Sequence, residues 1–163
     1  MLPIKKIICP TDFSEPAGLA LKNAVELASH FGAELCVVHI VQEVPRPTWR
    51  LQFAENREYY EAELAKYEKD LYGGSERKLR EILTEASRPG LKSRAIVGLG
   101  SNAADEIIRI ADEEKADLII ISTHGFTGWR RVVFGSVAEK VVRLATCPVL
   151  TARASSIHGR AAG

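Results

Sequence analysis

The sequence predicts an α/β fold, an open and mostly parallel sheet with helices on both faces. Short runs rich in isoleucine, valine and cysteine, namely IKKIICP, AELCVVHIV, KSRAIV, ADLIIIS and CPVLTA, have strand length and little polar alternation, the pattern of strands buried on both faces. Between them lie segments whose apolar residues recur at i, i+3, i+4 and i+7, one helical stripe each. Residue types that cap helices stand in front of these stripes. The order is β-α-β-α-β-α-β-α-β, and such alternation supplies the long crossovers that parallel strands need.

Taken in order, the first strand ends at Cys9 or Pro10 and leaves Thr11 and Asp12 in the loop at its carboxyl edge. Ser14 is the expected N-cap of the first helix, with Pro16 in its first turn and Leu21, Ala24, Val25 and Ala28 as its stripe. After the second strand, residues 42–87 form the least regular part. EVPRPTWR has two prolines and reads as an extended loop, while ENREYYEAELAKYEKDLYGGSERKLREILTEA reads as a long charged helix with Gly73-Gly74 as its candidate break. That helix can be a plain surface helix with i, i+4 charge pairs, or a lid or partner-binding element. Asn102 caps the next stripe, Ala104, Ile107, Ile108 and Ala111, and Ser136 is expected to cap the last, Ala138, Val141, Val142 and Ala145. Residues 154–163, ASSIHGRAAG, have little to bury and read as a flexible tail. Residues 1–153 are thus expected to form a single domain around one core.

Composition narrows the function classes. With 46% hydrophobic and 26% charged residues and a formal net charge of +1, nothing pulls the chain as a whole toward nucleic acid. Cys9, Cys36 and Cys147 are odd in number and lack a C-x-x-C pair, so free thiols are expected rather than a disulfide framework or a zinc site. The amino-terminal apolar run is too short for a signal peptide, and no segment reaches the ~18 apolar residues of a membrane span. A reducing cytoplasm is the expected location.

Two loops carry candidate chemistry. In STHGFTGWRRVVFGS a strand runs through a glycine-bearing basic loop into a helix start, where free N–H groups and the positive end of the dipole suit a phosphate. The alternative is a glycine turn with a solvated basic loop. In IICPTDFS, Asp12 can accept hydrogen bonds from ribose hydroxyls or a base amine, or it can order the turn before Ser14. The two loops flank the reversal of winding if the strand order is 3-2-1-4-5. GLGSNA, Gly98 to Ala103, has the G-x-G-x-x-A outline of a dinucleotide site but lacks an acidic residue after the following strand, so a close turn with tight helix packing is expected there. No P-loop sequence occurs, and the histidines His30, His39, His124 and His158 have no metal spacing.

These residues resemble the universal stress protein family. The similarity runs over essentially all of residues 4 to 153, through KKIICPTDFSEPAGLALKNAVELA, CVVHIV, VGLGSNAADEIIRIADEEKADLIIIS and STHGFTGWRRVVFGSVAEKVVRLATCPVL. The resemblance implies a Rossmann-like, adenine-nucleotide alpha-hydrolase-like sheet in order 3-2-1-4-5. ATP-binding members share G-x2-G-x9-G-[ST]; here Gly125, nine residues and Gly135-Ser136 match it, with Ser122 in place of the first glycine. By position, the resemblance implies Asp12 near the adenosine, Pro10 and Thr11 beside it and Ile40 against the base. It places Gly125, Gly135, Ser136 and Val137 around the phosphates, with His124 nearby. It further implies ATP or Mg-ATP as ligand, a homodimer through the C-terminal strand, an unknown protein partner, and no catalytic residue beyond what slow ATP hydrolysis would need. The alternative is a dimeric interaction module of the same fold that binds no nucleotide.

Overall fold

The computed structural model describes residues 3–43, 57–123 and 135–153. Within them the alternation resolves into β1 (Lys6–Pro10), α1 (Glu15–Phe31), β2 (Glu34–Gln42), α2 (Arg57–Ala86), β3 (Ser93–Gly100), α3 (Ala103–Glu113), β4 (Leu118–Ser122), α4 (Ser136–Leu144) and β5 (Val149–Ala152). All four strand pairings are parallel, in the order β3-β2-β1-β4-β5. The winding therefore reverses between β1 and β4, and the carboxyl ends of these two strands mark the crevice where such sheets hold ligands.

Strand residues alternate between two apolar layers. Ile7, Cys9, Leu35, Val37 and Ile120 pack with α1 and with Leu79 of α2. Ile8, Cys36, Val38, Ile119 and Ile121 pack with α3 and α4. Because both faces are covered, a polar residue has no place on the inner strands, which is why their sequences lack alternation. The thiols of Cys9 and Cys36 are buried and free, and burial pushes the Cys9 thiol up to about 12, which leaves it protonated and inert.

Helix starts and stripes follow the expectation with four corrections. Ser14 Oγ accepts from Ala17 N–H, and Asn102 Oδ1 accepts from the N–H groups of Ala104 and Asp105. Ser136, however, is the first helical residue of α4 rather than its cap. Gly135 holds that position, extended at φ −60° and ψ 146°, and its carbonyl takes the N–H of Glu139 at 2.9 Å. In the α3 stripe Ile110 is buried and Ile108 only partly so. Val142 of α4 is 45% exposed, because this helix flanks the β5 edge and only Ala138 and Val141 reach the core. Finally, α2 runs unbroken through Gly73-Gly74. Neither glycine takes a positive φ, and helix-forming neighbours on both sides carry the hydrogen-bond ladder across them.

Gly98 lies inside β3 rather than in a turn. A Cβ there would stand 2.7 Å from Ile40 Cδ1 and 3.0 Å from Ile110 Cδ1, so the tight packing expected of the GLGSNA glycines is present while the turn is not.

At the amino end of the sheet four charges form a closed ring. Lys6 Nζ lies 2.8 Å from Glu114 and 3.6 Å from Glu34, and Arg94 pairs with both carboxylates. The ring ties β1, β2 and β3 to the end of α3. Hydrogen bonds from Lys6 and then Arg94 hold the Glu114 carboxyl below its ordinary value of 4.5. A depressed carboxylate contributes stability that is present above pH 4.5 and lost as pH falls through the folded value. We expect the urea midpoint to drop as pH is lowered below 4.5. Glu114→Gln should cost about 1 kcal/mol at neutral pH and flatten that drop; an unaltered pH profile in the variant would dismiss the ring as its source.

Candidate functional site

The cleft is built from the ends of β1, β2 and β4 and the starts of α3 and α4. After β1, Thr11 N–H donates to the Val38 carbonyl at 2.8 Å, which keeps the chain beside β2 for one more residue. The chain then turns sharply at Phe13, whose φ of 64° costs on the order of 1–2 kcal/mol for a residue with a bulky side chain. Local bonds hold that turn. Phe13 N–H donates to Thr11 Oγ1 at 3.0 Å, while the N–H and hydroxyl of Ser14 both donate to Asp12 Oδ1. Asp12 therefore orders the turn before α1, as one reading of the sequence had it, and its side chain also borders the cleft.

His39 on β2 secures the same loop. Its Nδ1 donates to the Thr11 carbonyl at 2.8 Å, and its ring packs against Phe13 at a tilt of 35° with centroids 4.3 Å apart. Burial pushes this imidazole below its ordinary 6.5, only partly opposed by the bond to Thr11 and the charge of Asp12. The other face of the loop is met by α2, with Lys78 Nζ lying 4.4 Å from the Phe13 ring centroid.

The opposite wall is the junction of β4 and α4. Thr123 N–H donates to the Ala152 carbonyl, and the Thr123 carbonyl in turn takes the N–H of Gly135 at 2.7 Å, which fixes where α4 begins. No side chain caps this helix. The first-turn N–H groups of Ser136, Val137 and Ala138 have no acceptor within the helix, in contrast to the side-chain-capped starts of α1 and α3. Ser122 is the last residue of β4, paired with Ala152. Among the described residues the positive-φ non-glycines are Phe13 and Lys115, so the backbone at Ser122 does not require glycine.

Between these walls lies a cleft of about 310 Å³. Pro10, Thr11, Asp12 and Ile40 border one side of it, and Ser122, Gly135, Ser136 and Val137 the other. Thus the described residues that the resemblance assigns to a nucleotide site all border one cleft. His124 and Gly125 lie outside the described residues. Sequence reasoning missed Val38, His39, Ala103 and Ile107, which also line the space. Val38 was discoverable, since it stands two residues before Ile40 on the same face of β2; Ala103 and Ile107 come from α3, and nothing local in the sequence points them at β2. Chemically, the cleft joins an apolar slot, a carboxylate at its edge and an uncapped helix start. It offers a flat ring, hydroxyl groups and an anion one surface each. Among the described residues no group of three or more His, Cys, Asp or Glu side chains could hold a metal ion, and no helix is long and apolar enough to cross a membrane.

Comparison with known proteins shows the family and the fold. Residues 3–153 match the model of the Universal stress protein family. Universal stress protein MJ0531 of Methanocaldococcus jannaschii is 34% identical over 155 residues, covering 91% of this chain and 82% of that protein. Universal stress protein MJ0577 of the same organism is 31% identical over 157 residues, covering 91% and 94%. The solved structure of MJ0577 superposes with a TM-score of 0.78 at 29% identity, over 94% of this chain and 98% of that one. A universal stress protein from Archaeoglobus fulgidus, solved in complex with dAMP, shares the fold with a TM-score of 0.55 at 21% identity, over 93% and 99%. With a family match across nearly the whole chain, relatives above 30% identity and the sheet order of its solved neighbours, this chain belongs to the universal stress protein family.

Proposed function

We propose that the protein binds ATP, or another adenine nucleotide, in the cleft between β1 and β4, and acts in the cytoplasm as a nucleotide-dependent regulatory or protective module of the stress response. One observation carries the reading: the Asp12 loop and the uncapped start of α4, far apart in sequence, border the same cleft at the reversal of winding. In this reading the adenine lies between Val38, Ile40 and Ile107, Asp12 accepts from the ribose hydroxyls, and the N–H groups of Ser136 and Val137 meet the phosphates, with Gly125 and His124 completing the cradle. The family relative solved with dAMP supports an adenine nucleotide as the ligand class. Location in a reducing compartment is supported by the free cysteines. No residue is assigned a catalytic role, and turnover beyond slow hydrolysis is not part of the proposal. Titration calorimetry with Mg-ATP on the folded protein tests it, with saturable heat at or below millimolar nucleotide expected; a folded protein that gives no heat ends the proposal.

A second reading, a dimeric interaction module without nucleotide, is favoured by Ser122 and by the apolar residues left at the β5 edge, where Leu150 and Val142 are 42% and 45% exposed. Dimerisation through β5 is compatible with both readings, since a short edge strand needs a partner or cover. Leu150→Arg should shift the sedimenting species from dimer to monomer. A wild-type protein that is monomeric at micromolar concentration would refute the pairing.

A further inference from the structure

Helix α2 contains two glycines that its own structure does not ask for. Neither Gly73 nor Gly74 has a positive φ, and a Cβ built on either would find nothing within 4 Å. Alanine would fit both positions and hold the helix better, because glycine weakens a helix interior through its larger backbone freedom. The two halves they separate are anchored very differently. On the carboxyl side Leu79 is fully buried, with Ile82, Leu83 and Ala86 packed against the core. On the amino side, from Arg57 to Tyr72, no residue is buried, and Tyr59, Tyr60, Tyr67 and Tyr72 are all 42% or more exposed. Tyr72 touches the sheet through its hydroxyl, which donates to the Val97 carbonyl at 3.2 Å.

One of the two, Gly74, also borders a groove against the loop between β1 and α1. This groove of about 430 Å³ has Tyr67, Leu71 and Gly74 on one wall and Phe13 and His39 on the other. His39 borders this groove and the cleft alike. A continuous line of contacts thus leads from the cleft to the helix: Thr11 carbonyl to His39, His39 ring to Phe13 ring, Phe13 ring to Lys78, one turn past Gly74. Phe13 sits in this line with a left-handed backbone that the surrounding contacts hold in place.

We propose that residues Arg57–Tyr72 form an arm hinged at Gly73-Gly74, whose opening is set by nucleotide occupancy of the cleft through the His39, Phe13 and Lys78 contacts. The proposal rests on the nucleotide reading above and adds its output: the tyrosine-bearing half of α2 is the surface that changes. The coupling is reciprocal, so whatever fixes the arm also alters nucleotide affinity by the same factor. Leu79 keeps the carboxyl end of the helix in the core, and the turn from Gly74 to Lys78 is where the contact with Phe13 acts on the hinge.

Hydrogen exchange across residues 57–72, with and without saturating Mg-ATP, tests the idea alongside calorimetry on the same samples. In the wild type ATP should change exchange of the arm at least threefold. In Gly73→Ala/Gly74→Ala the arm should exchange roughly tenfold more slowly and lose its response. Lys78→Met, which keeps the stem but removes the charge over Phe13, should still bind ATP while the arm's response shrinks. If ATP binds to the wild type and protects only cleft residues, the arm is refuted and the nucleotide reading stands. If the double-alanine variant responds to ATP as the wild type does, the hinge is refuted. If calorimetry shows no binding, the nucleotide reading fails and the arm's proposed control fails with it.

Discussion

Gly135→Asp should abolish most nucleotide binding while leaving the fold as stable as before. Aspartate is a better N-cap than glycine, and Gly135 already has the extended backbone that a cap needs, with φ −60° and ψ 146°. The nearest atom to a new Cβ is the Thr123 carbonyl oxygen at 3.4 Å, an ordinary contact. The unfolding free energy should therefore stay within about 0.5 kcal/mol of wild type. Binding moves the other way. The new carboxylate would cap the N–H groups proposed for phosphate and set a like charge against it, a loss of about 3 kcal/mol, or roughly a hundredfold in affinity. Unchanged stability beside lost affinity separates a lost site from a damaged protein. Unchanged affinity in calorimetry would remove the α4 start from the site.

Leu79→Ala should give the largest loss of stability among single changes in α2. Leu79 is the buried residue of this helix and is fully enclosed, between the helix and the layer that includes Leu35 and Val37. Truncation removes its transfer energy and leaves a void, together about 3 kcal/mol. Since Ile82 and Leu83 are only partly buried, they cannot compensate fully. Chemical denaturation checks the value; a loss below about 1 kcal/mol would mean that α2 is held chiefly elsewhere.

What could be read in the sequence follows from how local each signal is. Ser14 and Asn102 declared their helix starts because a side chain does the capping. The start of α4 was misplaced by one residue, since a glycine cap has no side chain to announce it and the neighbouring serine looked like the better candidate. Asp12 was legible as a residue just past the carboxyl end of a strand, where ligands gather, whereas Ile40 was reached only through the family resemblance. Ile107 was not legible, although it belongs to a clear stripe: the stripe says only that it points inward, and Ile40, which lines the same cleft, lies 67 residues earlier on β2. Gly73-Gly74 misled for a related reason. Propensity lowers the helix locally, but both glycines keep a negative φ and the helix continues across them in this conformation.

The charge ring and the cleft stand at opposite poles of the same five strands, one binding the amino ends and the other using the carboxyl ends. They share no side chain. Heat tolerance and ligand choice can therefore drift separately in this protein, the first through Lys6, Glu34, Arg94 and Glu114, the second through loops whose alteration leaves the far end of the sheet clamped. A substitution within the ring should therefore leave ligand affinity unchanged, and one within the cleft should leave the acid response of the ring unchanged.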